Sequence, residues 1–169
     1  MEVWGMSRKR LKIQESAYRK VVQNAEAAWP RECCGALLGM NCDRQERLLE
    51  AVPAASAETT SGADFFQIGA RDMVAFHARA MESRQEILGF YHSHPDAPPV
   101  PSRADLPQTM EHDSQRRGAT WPEHLLLIAG VQRGRCDEVR AYRLTAGSDG
   151  QNQGELRYEE LELEIVSDF

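Results

Sequence analysis

Two histidines and an aspartate in the middle of the chain have the residue types and the spacing of a metal site. His92 and His94 belong to the apolar segment 87–94, which predicts a strand. Residues i and i+2 of a strand project from the same face, about 6.5–7 Å apart along the backbone, so both imidazoles can reach one ion. The proline-rich turn 95–101 can return the carboxylate of Asp105 to the same point. Two histidines and one carboxylate leave a fourth tetrahedral position for water, which is the pattern of a catalytic zinc site.

A catalytic zinc site needs a general base, and Glu32 is the best candidate in the sequence. It follows Pro30, which ends a predicted helix, and it precedes a predicted buried strand. Each signal is ambiguous when it is taken alone. A single H-x-H pair is more often a surface or packing pair, and a glutamate after a helix is more often a solvated charge. Two histidines and a carboxylate can also hold non-haem Fe(II).

Taken together, these residues resemble the JAMM (MPN-plus) metalloprotease motif. That motif consists of a glutamate, a later H-[ST]-H-P, and an S-x-x-D. In this chain its parts are Glu32, His92-Ser93-His94-Pro95, and Ser102 to Asp105, with ten residues between the second histidine and the aspartate. The surrounding segments P-x-E-C-C-G-x-L-L-G and I-L-G-F-Y-H-S-H-P are similar to the bacterial stand-alone branch. The resemblance covers residues 11 to about 144.

The resemblance implies a zinc metallopeptidase or isopeptidase with one zinc per chain. It implies that the zinc ligands are His92, His94 and Asp105. Glu32 would accept and return a proton, and Ser102 would donate a hydrogen bond to the oxyanion. Bacterial relatives of this branch are associated with ubiquitin-like sulfur-carrier proteins. The expected substrate and partner is therefore such a carrier, cleaved after its C-terminal Gly-Gly.

Two other readings lead to different functions. A zinc nucleoside deaminase would share the fold type, but its H-x-E and P-C-x-x-C signature is missing. A non-catalytic MPN-like module would bind a ubiquitin-like partner without cutting it, and zinc content measured together with tail cleavage separates it from the enzyme. Ser93 lies between the two histidines and is interpreted as a structural residue that holds the loop.

The elements that must position these residues form an α/β pattern with a single mixed central sheet flanked by helices, as in the MPN (cytidine deaminase-like) fold. Helices are predicted over 14–29, over 70–84 and from about Ser102, and strands over 34–40, 47–52, 87–94, 124–131 and 138–144. The tail 155–166 fits a strand or a helix, and 53–64 is predicted to be a mobile surface loop.

Several side chains of the predicted elements carry expectations of their own. The second helix is expected to bury Met73, Phe76, His77, Ala80 and Met81 and to leave Arg71 and Asp72 in solvent. Tyr91 is expected to face away from the ligands because strand residues alternate. The zinc site is expected at a sheet edge, beside a groove that binds an extended chain.

Length and composition set the remaining limits. The 169 residues are interpreted as one catalytic domain, 1–169, with a core over about 11–144 and flexible residues 1–9. Twenty Lys and Arg against 26 Asp and Glu, a net charge of -6, argue against nucleic-acid binding. No apolar run approaches the ~18 residues of a membrane span, and no apolar segment follows the basic N-terminus as in a secretory signal.

Four cysteines without C-x-x-C spacing suit buried residues in a reducing compartment, so the expected location is cytoplasmic. A cysteine nucleophile paired with a histidine remains the alternative reading of the composition. The sequence does not predict the oligomeric state.

Overall fold

The elements of the chain are visible in a computed structural model, which describes residues 9–42, 45–55, 58–59, 66–102, 105, 124–146, 156–167 and 169. In chain order they are β1 Arg10–Gln14, α1 Glu15–Ala28, β2 Cys34–Cys42, β3 Gln45–Pro53, β4 Glu58–Thr59, β5 Phe66–Gln67, α2 Ala70–Ser83, β6 Glu86–Pro95, β7 Leu125–Gln132, β8 Arg135–Ala146 and β9 Leu156–Val166.

The two long helices and the five strands predicted from the sequence are confirmed, with bounds that differ by at most three residues. The tail is a strand, β9, rather than a helix. Of the short helix predicted near Ser102, Asp105 is helical and residues 103–104 and 106–123 lie outside the described part. Residues 1–8 and most of 53–64 lie outside it too. Neither described helix, each 14 residues long, has the length and apolar character needed to cross a bilayer.

The main sheet is mixed, as predicted, and it closes on itself. Its strand order is β1-β3-β2-β6-β7-β8-β9, and β9 pairs in parallel with β1 to complete a barrel. Strand β6, which carries His92 and His94, lies between antiparallel β2 and parallel β7. The expectation that the site lies at a sheet edge is therefore wrong, because every strand of a closed barrel is paired on both sides. A separate two-stranded hairpin, β4–β5, branches off between β3 and α2.

The two faces of the barrel wall carry different hydrophobic clusters. Leu37, Tyr91 and Leu127 belong to the larger cluster, which also contains Ala17, Val21 and Ala25 of helix α1. The opposite face of β2 packs against helix α2 in a second cluster that contains Cys34, Ala36, Leu38, Phe76 and Ala80. Neighbouring Cys33 and Cys34 fall in different clusters, as strand alternation requires.

The buried stripe of α2 differs from the prediction. It consists of Asp72, Phe76 and Ala80, which lie four residues apart on one face. His77 is exposed and the Met81 side chain is 80% exposed, so their predicted burial is wrong. The prediction that Asp72 is solvated is also wrong, because the residue is buried. Its Oδ1 accepts a hydrogen bond of 2.9 Å from the backbone N–H of Ala55. That donor compensates a buried carboxylate that residue type alone assigns to the surface.

Gly89 on β6 provides a test of the close approach between β6 and β7. A Cβ at this position would lie 2.0 Å from the carbonyl oxygen of Leu125, a backbone atom that cannot move aside without disturbing the barrel. We expect Gly89→Ala to lower the free energy of unfolding by about 3 kcal/mol. In Gly69→Ala, where no heavy atom lies within 4 Å, we expect a loss of at most about 1 kcal/mol. Urea denaturation followed by circular dichroism measures both, and equal midpoints for the two variants would contradict the packing described.

Candidate active site

The two histidines project from the outer face of β6, away from the barrel core. Tyr91 lies in the core and its hydroxyl donates a 2.9 Å hydrogen bond to Asn24 Oδ1, which agrees with the predicted alternation along the strand. His92 follows it on the opposite face and pairs with Cys34 of β2. His94 comes two residues later on that same face.

The predicted triad converges on one point. The Nε2 atoms of His92 and His94 lie 3.0 Å apart, Asp105 Oδ1 lies 3.1 Å from His92 Nε2, and Asp105 Oδ2 lies 4.0 Å from His94 Nε2. Ligand atoms about 2.0–2.1 Å from a tetrahedral zinc ion lie roughly 3.3 Å from one another. The three side chains therefore have the spacing and the donor chemistry of a tetrahedral metal site with one position left over.

The orientation of the His94 ring is fixed by a backbone carbonyl. His94 Nδ1 lies 2.8 Å from the carbonyl oxygen of Pro98. Because a carbonyl oxygen only accepts hydrogen bonds, Nδ1 carries the proton and the Nε2 lone pair is directed at His92 and Asp105. This is the tautomer that a metal ligand of the Nε2 type requires.

Burial and neighbouring groups shift the pKa values of the other two candidate ligands, His92 and Asp105. Desolvation lowers the pKa of His92, although Asp105 opposes this shift. Burial raises the pKa of Asp105, but hydrogen bonding and charge interaction with His92, together with hydrogen bonds from Ser102, outweigh burial and leave that pKa lowered. A neutral imidazole beside an ionised carboxylate is the combination that binds a metal ion.

Ser102 positions Asp105 through the backbone. The Ser102 N–H donates a 2.5 Å hydrogen bond to Asp105 Oδ2, and the Asp105 N–H donates to the Ser102 carbonyl at 3.1 Å. A carboxylate that reaches back three residues to a backbone N–H is the arrangement seen at helix N-termini, and it gives the S-x-x-D spacing a structural reason. The exposed Ser102 therefore lies beside the ligand carboxylate.

The proline-rich turn between the ligands is held against β7 and β8. The Tyr142 hydroxyl donates a 2.7 Å hydrogen bond to the carbonyl of Pro99. A Cβ at Gly130 would lie 2.9 Å from Pro99 Cδ, so the turn packs closely on the β7 backbone. Pro98 and Tyr142 were not predicted from the sequence as supporting residues. A carbonyl acceptor has no signature in the sequence, and Tyr142 is far from the motif along the chain.

Glu32 reaches the ligand face through the register between β2 and β6. The Cys33 N–H donates to Ser93 Oγ at 2.9 Å, and the Ser93 N–H donates to the Cys33 carbonyl at 3.1 Å. These bonds extend the pairing of Cys34 with His92 by one position, to Cys33 and Ser93. Because side chains alternate along an extended segment, we infer that the half-buried Glu32 lies on the same side as the two histidines. Ser93 holds the segment that carries Glu32.

Comparison with known proteins identifies the family of the chain. Residues 14–145 match the model of the family described as prokaryotic homologs of the JAB domain. The chain is 27% identical over 127 residues to a desampylase of Haloferax volcanii, which spans 73% of this chain and 82% of that protein.

Solved structures are similar over nearly the whole chain. A protein from Desulfitobacterium hafniense is 17% identical with a TM-score of 0.70, covering 94% of each chain. A protein from Salinibacter ruber is 26% identical with a TM-score of 0.58, covering 91% of this chain and 92% of the other. A JAB1/MPN domain protein from Archaeoglobus fulgidus is 19% identical with a TM-score of 0.50, covering 96% and 99%. The expected MPN-type α/β fold is confirmed.

The converging ligand atoms lead to a prediction about metal content. We expect the purified protein to hold about one zinc per chain, and we expect the occupancy in His92→Ala or Asp105→Ala to fall to roughly a tenth or less, because three protein ligands leave no redundancy. Elemental analysis after dialysis measures the occupancy. His77→Ala, which removes an exposed histidine on α2, is the matched control and should keep its zinc. Full occupancy in the His92→Ala, His94→Ala double variant would contradict the assignment.

Proposed function

Because the chain belongs to the family of prokaryotic homologs of the JAB domain, we propose that it is a zinc-dependent peptidase or isopeptidase. Its proposed substrate is a ubiquitin-like protein of the sulfur-carrier type, cleaved after the C-terminal Gly-Gly. The observation that carries the proposal is the convergence of His92, His94 and Asp105 beside the segment that bears Glu32. The similarity to a desampylase, whose name denotes an enzyme that detaches a modifier, supports hydrolysis rather than binding alone.

The proposed metal site uses three described side chains. His92 and His94 would hold zinc through Nε2, and Asp105 would hold it through its carboxylate. When bound, zinc supplies Lewis acidity and activates water for attack at neutral pH. The Nδ1 hydrogen bond of His94 to Pro98 and the hydrogen bonds of Asp105 to Ser102 keep two of the ligands oriented before the ion binds.

The proposed proton transfers are made by Glu32. Its carboxylate accepts a proton from the attacking water while the new C–O bond forms at the scissile carbonyl. The same carboxylate then delivers the proton to the nitrogen of the departing amine as the C–N bond breaks. Glu32 is half-buried and lies two residues before β2, beside the hydrogen bonds between Cys33 and Ser93, which would give it access to both partners from one position.

The proposed role of Ser102 is to stabilise the developing oxyanion. Its exposed hydroxyl hydrogen-bonds Asp105 in this structure, and rotation of the hydroxyl would redirect its proton to a substrate carbonyl oxygen as that oxygen gains charge.

Main-chain recognition of an extended tail supports the choice of substrate. The β4–β5 hairpin pairs only with itself within the described residues, so its strands have backbone edges to which a peptide strand can add. The chain leaves β3 for this hairpin close to the site, because the Ala54 N–H donates a 2.9 Å hydrogen bond to the carbonyl of Cys34, the residue opposite His92. Two glycines allow the tail backbone to approach the metal closely. A cytoplasmic location remains a prediction from the sequence.

Replacing either the proposed base Glu32 or the proposed oxyanion donor Ser102 should lower turnover and leave the metal bound. We expect Glu32→Gln to reduce kcat by roughly 10²–10⁴-fold because it keeps the size of the side chain and removes the base. We expect Ser102→Ala to reduce it by roughly 10²–10³-fold through loss of one oxyanion donor. Steady-state cleavage assays with zinc content measured on the same samples test this. Glu82→Gln, on the exposed face of α2, is the control, and its turnover should match that of the wild type. Wild-type turnover in Glu32→Gln would show that another carboxylate moves the proton.

The proposed substrate class predicts which chains are cut. A ubiquitin-like carrier with an extension after its Gly-Gly should be cleaved, whereas the same tail as a free peptide and casein should be cleaved little, because the folded body of the carrier supplies the remaining affinity. The three are offered at equal concentration and the products are identified by mass spectrometry. Equal cleavage of all three would indicate a general peptidase. Cleavage of none by the zinc-loaded protein would favour a binding module.

A further inference from the structure

The short segment that carries Glu32 is tied to the ligand strand at two points. At its C-terminal end, Cys33 exchanges two hydrogen bonds with Ser93, as described above. At its N-terminal end, the indole Nε1–H of Trp29 donates to Asp96 Oδ2 at 3.2 Å. Glu32 therefore lies between two cross-links whose partners flank His94 on either side in the sequence.

Asp96 is itself fixed by three hydrogen bonds to different parts of the chain. Its backbone N–H donates to the carbonyl of Val131 at 2.7 Å, and its Oδ1 accepts the backbone N–H of Arg133 at 3.0 Å. Its Oδ2 accepts the Trp29 indole. Its φ is 52°, in the left-handed region that aspartate, asparagine and glycine tolerate better than other residues. Asp96 therefore joins the turn after β6, the end of β7 and the segment before Glu32.

The partner Trp29 rests on the tight turn between β7 and β8. Arg133 and Gly134 both have positive φ, 50° and 82°, as in a two-residue hairpin turn. A Cβ on Gly134 would lie 3.6 Å from Trp29 Cε3, so the indole lies against this glycine. The ring is thus held by packing on one side and by the Asp96 carboxylate at its nitrogen.

The turn after β6, which contains Asp96, also supports the ring of His94. Two residues after Asp96, the carbonyl of Pro98 accepts the Nδ1 hydrogen of His94. A displacement of Asp96 would therefore move the carbonyl that supports the His94 ring. Loss of the hydrogen bond from Trp29 to Asp96 would release one end of the segment that carries Glu32. Both consequences change the distance between the proposed base and the proposed metal.

We propose that Trp29 and Asp96 are positioning residues that keep Glu32 in register with the metal ligands. The inference rests on the proposed hydrolase function for its kinetic effect, but not for its structural effect. Trp29 is 36% exposed and Asp96 is exposed, so their hydrogen bond contributes little to global stability. Loss of this hydrogen bond should therefore lower kcat and leave the free energy of unfolding nearly unchanged.

Three variants separate the contribution of the carboxylate from that of the backbone. Asp96→Gly keeps the left-handed conformation and removes both acceptor oxygens, whereas Asp96→Asn keeps that conformation and one acceptor. Trp29→Phe keeps an aromatic ring on Gly134 and removes the donor. We expect Asp96→Gly to lower kcat about 10-fold with KM within about twofold of the wild type, since misplacement of a catalytic group affects the chemical step.

The conservative variant and the double variant sharpen this test. Asp96→Asn should recover a large part of the lost kcat, and Trp29→Phe should reduce kcat in the same direction as Asp96→Gly. Adding Trp29→Phe to Asp96→Gly should lower kcat by no more than about twofold further, because both changes break the same hydrogen bond between Trp29 and Asp96. Fully additive effects, or wild-type kcat in Asp96→Gly, would overturn the proposal. Thermal unfolding of each variant establishes that the proteins compared are folded.

A spectroscopic measurement tests the linkage independently of catalysis. In ¹H–¹⁵N spectra, the indole resonance of Trp29, identified by its loss in Trp29→Phe, should differ between zinc-loaded and chelator-treated protein. Asp96→Gly should abolish that difference, because Asp96 connects the indole to the turn that supports His94. An indole resonance that does not respond to zinc in the wild type would overturn the linkage. If the wild type binds zinc but cleaves no carrier, the proposed function fails while this spectral result still decides the linkage.

Discussion

The antiparallel register between β2 and β6 is the constraint on which the whole site depends. It pairs Cys34 with His92, and the hydrogen bonds between Cys33 and Ser93 continue it by one position. Strand alternation then assigns Glu32 to the face of His92 and His94. A slip of one residue would turn Glu32 toward the barrel core and leave the ligand face without its carboxylate, because side chains alternate with a period of two. The register is held by burial on both faces of the wall, with Tyr91 and Leu37 packed inside and Cys34 and Ala36 packed under α2. The hydrophobic pattern of two strands thus determines the geometry of a polar site.

Gathering three candidate metal ligands in a partly buried position is unfavourable without compensation. His92 and Asp105 are 2% and 6% exposed, and the two imidazole Nε2 atoms lie 3.0 Å apart. Buried groups of this kind are tolerated when hydrogen bonds hold them, and the contacts to Pro98 and Ser102 supply such bonds. The prolines of the turn reduce the conformational entropy that the unfolded chain would lose on ordering it. The turn is further held at Pro99 by Tyr142.

The shared face of His92 and His94 was predictable from the sequence because it depends on a local rule, whereas the roles of Glu32, Ser102 and Asp105 were expected from the resemblance to the JAMM motif. Strand alternation alone puts His92 and His94 on one face and Tyr91 on the other, and the structure agrees. The closure of the barrel was not predictable in this way, since it depends on the parallel pairing of β1 with β9 from opposite ends of the chain. That closure removes the sheet edge expected beside the site. The burial of Asp72 depends on a backbone donor at Ala55, which no periodic pattern contains.

Anomalous diffraction at the zinc absorption edge, from crystals of the zinc-loaded protein, is the most direct test of the account. We expect one dominant peak, bounded by His92 Nε2, His94 Nε2 and the carboxylate of Asp105, on the face assigned to Glu32. A zinc peak held by other residues, or no peak at this triad in crystals that contain stoichiometric zinc, would contradict it.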